Sequence, residues 1–82
     1  MNESEIRSAV LGELTKIAPE VEPGELEAGT PLRNQVDLDS MDWLNFIIAL
    51  HTRLKVEIPE TDYTKLVTLN DVVGYLKGKL RD

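Results

Sequence analysis

The stretch Met41–Leu50 is apolar on more than one helical stripe, and nothing else in the chain constrains the fold as strongly. Leu44, Ile47, Ile48 and Leu54 fall on one stripe, Trp43, Phe46 and Leu50 on another. A helix apolar around most of its girth belongs at the centre of a bundle. The chain has 82 residues and no cysteine. That length holds one domain, spanning 1–82, with a thin core that neither disulfides nor thiolate-bound metal can reinforce. Well-patterned helices must carry the fold.

The flanking segments fit such a bundle. Ile6, Val10, Leu14 and Ile17 recur at helical spacing with Ala9 beside them, which predicts a helix over about 4–18, capped by Asn2 or Ser4 and ended by Pro19. From Pro19 to Leu38 the pattern breaks at Pro23-Gly24, Gly29 and Thr30-Pro31. So long a loop in a small domain is pinned or functional. Leu26, Leu32, Val36 and Leu38 are spaced to anchor it. Asp39 caps the central helix, with Asp42 completing a capping-box-like arrangement, and the helix runs to Arg53 or Leu54. Ile58 before Pro59 reads as an extended connector, and Glu60–Lys65 as a short helix. Thr68 caps the last helix, which turns Leu69, Val72, Val73, Leu76 and Leu80 inward. Lys77, Lys79 and Arg81 suit its negative C-terminal end. The expected fold is all-α: a small bundle of three main helices plus one short helix, with a long ordered first loop.

Charge narrows the partners. Nine basic residues stand against fifteen acidic ones, a net charge of −6. Between Glu13 and Asp42 the acids Glu13, Glu20, Glu22, Glu25, Glu27, Asp37, Asp39 and Asp42 outweigh Lys16 and Arg33. A phosphate backbone repels such a surface, so no nucleic-acid partner is expected, while basic protein surfaces are attracted. The start Met1-Asn2-Glu3-Ser4-Glu5 does not resemble a signal peptide, and no apolar run is long enough for membrane insertion. The expectation is a soluble, cytoplasmic protein.

The segment Asp37-Leu38-Asp39-Ser40-Met41-Asp42 sits mid-chain, after the long loop and at the start of the apolar helix. With the Glu57-Ile58-Pro59 connector, the acidic short helix and the Leu66-Val67-Thr68 lead into the last helix, it resembles the acyl carrier protein family over most of the chain. The resemblance implies a phosphopantetheine-binding carrier domain, with 4′-phosphopantetheine from coenzyme A attached covalently to Ser40 by a phosphopantetheinyl transferase. It implies a role in fatty acid biosynthesis or related lipid metabolism, shuttling thioester-linked acyl intermediates between acyl-transferring or acyl-ligating enzymes with basic docking surfaces. Asp39, Met41, Asp42 and Trp43 become candidates for partner recognition, and Phe46, Ile47, Ile48 and Leu50 for the border of an acyl pocket. Trp43 has a second reading, as packing against the long loop.

No catalytic residue and no metal ligand set is expected. His51, the one histidine, lies about 16 Å along the helix from Ser40, beyond the reach of a general base. Two departures from the family pattern stand out. Asp37 occupies a place where a glycine is common, and no acid occurs between Asp42 and Glu57, where Asn45, His51, Thr52, Arg53 and Lys55 appear instead. These point to a specialised pathway. The alternatives are an unmodified carrier-like docking module and a peptidyl or aminoacyl carrier. The latter usually reads Gly-Gly-x-Ser, unlike Asp37-Leu38-Asp39-Ser40.

Overall fold

The computed structural model describes residues 2–80. Four α-helices follow in order: α1 (Glu3–Ile17), α2 (Leu32–Gln35), α3 (Ser40–Leu54) and α4 (Leu69–Lys79). Two 3₁₀ segments, Pro23–Glu25 and Glu60–Lys65, lie between them. The all-α bundle expected from the sequence is what forms, with α1, α3 and α4 as its main helices and Glu60–Lys65 as the short one.

Local chemistry sets the helix starts. Asn2 caps α1: its Oδ1 accepts from Glu5 N–H at 2.8 Å while the Glu5 carboxylate accepts from Asn2 N–H at 3.1 Å. Thr68 and Asp71 make the same reciprocal box at α4, at 3.0 and 3.1 Å. At α3 only half of the expected box exists. Asp39 Oδ1 accepts from Asp42 N–H at 2.8 Å, with no returning bond from the Asp42 side chain. The helix ends at Lys55 in left-handed backbone (φ 55°, ψ 42°), where the His51 ring donates through Nδ1 to the Val56 carbonyl at 2.7 Å. Arg81 lies outside the described residues.

The long loop is ordered and contains more helix than its sequence reveals. The single turn of α2 and the 3₁₀ turn at Pro23–Glu25 are too short to leave a periodic signature. Backbone bonds tie the loop to the start of α4: Leu32 N–H donates to Val67 O at 2.9 Å, and Asn70 N–H to Ala28 O at 3.0 Å. Gln35 staples the loop to itself. Its Nε2 donates to the Glu27 and Thr30 carbonyls at 2.8 and 2.9 Å, and its Oε1 accepts from Glu27 N–H at 2.7 Å. Leu32, Val36 and Leu38 are buried as anchors, and Leu26 is half-buried.

The core joins Ile6, Val10 and Leu14 of α1 to Phe46, Ile47 and Leu50 of α3 and to Leu69, Val72 and Leu76 of α4. The sequence places α3 at the centre, surrounded on most sides, and here the structure differs. Met41 is 65% exposed, Leu44 37% and Ile48 48%. The fold is too small to cover α3 all round, and the first stripe is split: Ile47 and Leu54 join Phe46 and Leu50 in the core, while Leu44 and Ile48 are left outside with Met41.

Glu13 is the one charged residue in the core among those described. Its Oε2 accepts from Arg53 Nη1 at 2.7 Å and from Lys16 Nζ at 3.2 Å, tying α1 to the end of α3. The Arg53 bond, with help from Lys16, holds its carboxyl below the ordinary 4.5 in spite of burial. A depressed folded-state value stabilises the fold above the unfolded value and is lost as pH falls through the folded one. Glu13→Gln is therefore expected to cost about 1–3 kcal/mol at neutral pH and to flatten the loss of stability below about pH 4.5, read by thermal melts across pH.

Tyr75 fastens α4 to the Glu60–Lys65 segment by donating its hydroxyl to Asp62 Oδ2 at 2.6 Å. Burial and that carboxylate push the phenol up to about 12. On the exposed side of α4, a Cβ at Gly74 would meet open space. Gly74→Ala is expected to stabilise the protein by about 0.5–1 kcal/mol in denaturant titration, because alanine loses less backbone freedom on entering a helix.

Candidate functional site

The approach to α3 alternates. Val36 and Leu38 are buried, while Asp37, Asp39 and Ser40 are exposed. Extended backbone at Val36 and Asp39 produces this period of two, so the two buried anchors hold the segment while its polar residues face solvent. Ser40 is the first residue of α3, and the cap is Asp39, so the serine hydroxyl is not consumed in starting the helix.

The first-turn amides account for what Ser40 can hold. Asp42 N–H is taken by Asp39 Oδ1, and Trp43 N–H by the Asp39 carbonyl at 2.9 Å. The amides of Ser40 and Met41 are left pointing out of the helix end, where the dipole favours negative charge. A phosphoester on Ser40 Oγ fits this arrangement: an exposed hydroxyl, two free donors and the positive end of a fifteen-residue helix. Asp37 and Asp39 are exposed nearby, and Asp42 is half-buried. These carboxylates repel a phosphate and attract basic groups on a partner.

The other sequence candidates separate. Met41 stands out in solvent. Trp43 is half-buried, its ring centroid 5.3 Å from that of Phe46 and tilted by 41°. It also lines an open groove of about 350 Å³ with Pro31, Arg33, Tyr63, Thr64, Leu66 and Val67. Phe46, Ile47 and Leu50 are fully inside the core, whereas Ile48 is at the surface. Ile47 and Ile48 border a second, smaller hollow of about 260 Å³ with His51, Ile58, Pro59 and Tyr63. His51 is exposed at the far end of α3 and occupied with the Val56 carbonyl. Among the described residues, no cluster of three or more potential ligands could hold a metal ion.

Sequence reasoning missed three features. Leu44 and Ile48 form an exposed stripe with Met41, which apolar periodicity alone cannot tell from a buried one. Arg33 and Val67 reach the groove beside Trp43 only because loop and α4 are joined by backbone bonds, a long-range fact with no local signal. Glu13 reads as one more surface acid until Arg53 is brought to it.

Residues 6–76 match the family model described as a phosphopantetheine attachment site. The acyl carrier protein of Campylobacter fetus is 28% identical over 74 residues, covering 90% of each chain. That of Lactobacillus acidophilus is 34% identical over 59 residues, covering 72% of this chain and 74% of its own. The Bdellovibrio bacteriovorus acyl carrier protein is 32% identical, covering 72% of this chain and 76% of its own.

Proposed function

Because this chain belongs to the acyl carrier protein family, a family of carriers rather than enzymes whose prosthetic group is covalent 4′-phosphopantetheine, we propose that Ser40 bears that group and that the protein shuttles acyl thioesters within a specialised pathway. The observation that carries the assignment of the residue is the exposed Ser40 hydroxyl on the first turn of α3, with the capping role left to Asp39. The group supplies a thiol on a long arm, on which an acyl chain is held as a thioester. This chain's own part is to present Ser40 Oγ, to offer the Ser40 and Met41 amides to phosphate oxygens, and to dock its partners. Activation of the hydroxyl falls to the transferase.

Docking falls to the exposed face of α3. Met41, Leu44 and Ile48 supply apolar contact beside Ser40, with Asp39 and Asp42 at one end for basic groups on the partner. Along the same face stand Asn45, His51, Thr52 and Lys55, all exposed and none acidic. This surface supports the specialised reading, since an enzyme that reads carboxylates along this helix finds none after Asp42. No helix among the described residues is long and apolar enough to cross a membrane. A monomer working in the cytoplasm belongs to the same proposal, as suits an acidic carrier that shuttles between enzymes.

The experiment is a comparison of holo proteins as substrates for a housekeeping malonyl transferase with a basic docking surface. Wild type is expected to react at least tenfold more slowly, in kcat/KM, than a general carrier. The combined variant Asn45→Glu, His51→Glu, Thr52→Glu is expected to recover most of the difference. Equal use of the wild type by that enzyme would contradict the specialised reading and leave the carrier assignment standing.

A further inference from the structure

We propose that Arg33, on the groove bounded by Pro31, Trp43 and the Tyr63–Val67 segment, makes this carrier selective for a short acyl group ending in a carboxylate, seated in that groove on the arm tethered to Ser40. The inference rests on the reading that Ser40 bears the arm. The groove begins at Trp43, about 4.5 Å along the helix axis from Ser40. Trp43, Leu66 and Val67 give it an apolar surface, of which Val67 is 42% exposed and open to being covered. Arg33, Thr64, Tyr63 and Trp43 bring the polar side-chain groups among its lining residues, and Arg33 is the one that carries charge.

Arg33 differs from the paired cations. Lys16 and Arg53 hold Glu13, Lys65 holds Asp62 and Lys77 holds Glu3, whereas Arg33, like Arg7, Lys55 and Lys79, has no ion-pair partner among the described residues, and of these four Arg33 alone lines the groove. A guanidinium accepts a carboxylate through two parallel hydrogen bonds, which favours that anion in this position. The length of the cargo follows from what lies beneath. Phe46 is fully buried beside the Trp43 ring, in one core cluster with Ile47 and Leu50. A long alkyl chain has to displace that packing, whereas a short acyl group rests above it with its end at Arg33. An exposed ion pair is weak on its own, but a tether supplies effective concentrations of about millimolar, so weak contacts suffice.

An arm without cargo also offers Arg33 an oxyanion, its phosphodiester, and the test separates the two sources. A broad-specificity phosphopantetheinyl transferase loads Ser40 from coenzyme A and from its succinyl, butyryl and octanoyl thioesters, with intact mass confirming each product. Trp43, the one tryptophan, reports the groove by fluorescence. Amide and side-chain NMR shifts report Arg33, Val67 and the core methyls of Ile47 and Leu50. Succinyl loading is expected to change Trp43 emission and the Arg33 side-chain signals beyond the free-thiol form, and beyond the four-carbon butyryl form. Arg33→Gln is expected to lower the seated fraction of the succinyl form about fivefold relative to the unseated, and to leave the butyryl form unchanged. A full Arg33 response from the free-thiol arm would assign the guanidinium to the phosphodiester and overturn the selectivity. So would an octanoyl group that moves Ile47 and Leu50 while succinyl leaves Trp43 unchanged. Absence of any mass gain on the wild type would remove the carrier reading itself, and this inference with it.

Discussion

Ser40→Ala is expected to abolish loading from coenzyme A completely while leaving the fold and its melting temperature unchanged. The loss is total because a phosphoester needs the Oγ acceptor, and a neighbouring hydroxyl cannot stand in for an atom at a defined place on the first turn. The stability is unchanged for reasons that lie in the cap. Asp39, not Ser40, satisfies Asp42 N–H, and Ser40 is exposed at a position where alanine is the best helix former. Such surface changes fall within about 0.5 kcal/mol. Asp39→Ala is the informative contrast. It removes the cap at a cost of about 1 kcal/mol yet keeps the hydroxyl, so it is expected to melt earlier and still to be loaded. Intact mass after incubation with coenzyme A, magnesium and a transferase reads loading, and thermal circular dichroism reads the fold.

Phe46→Ala is expected to be the most damaging single truncation in the chain, at about 3–5 kcal/mol. The ring has no exposure, stacks obliquely on Trp43 and sits where α3 meets the rest of the core. Truncation removes the transfer free energy of the ring and leaves a cavity that rigid helices cannot collapse to fill. A chain of this size has about 4–12 kcal/mol in all, so the variant loses much of its margin. At about 4–8 °C per kcal/mol, its melting temperature falls by roughly 12–40 °C. Ile48→Ala, two residues along and 48% exposed, is expected to cost under about 1 kcal/mol and to weaken partner docking instead. Urea titration of both variants checks the contrast, and the difference between them separates the inward side of α3 from the outward one.

That separation marks where the sequence stopped being informative. The helices, their caps at Asn2 and Thr68, and the stop at Leu54 are local matters of spacing, hydrogen-bonding side chains and breakers, and they are legible in the chain. The serine at a helix start is legible for the same reason. Which side of α3 faces out depends on how much apolar surface the other helices can cover, and no window of residues records that. α2 is one turn long and held by bonds from Leu32 to Val67 and from Asn70 to Ala28, residues far apart in the chain. The Glu13–Arg53 pair spans forty residues and is visible only once α1 lies against α3. The groove beside Trp43 belongs to the same class, being assembled from loop, helix and the lead into α4.

The most direct measurement is the intact mass of the protein purified from its own cells, followed by fragmentation to place any added group. The account predicts a mass above that of the bare chain by one phosphopantetheine, alone or with an acyl group on its thiol, on the peptide that contains Ser40. A chain found entirely at its bare mass, with growing cells collected and thioesters preserved, would contradict it and leave a helical docking module in its place. An added group on any other residue would contradict the assignment of Ser40.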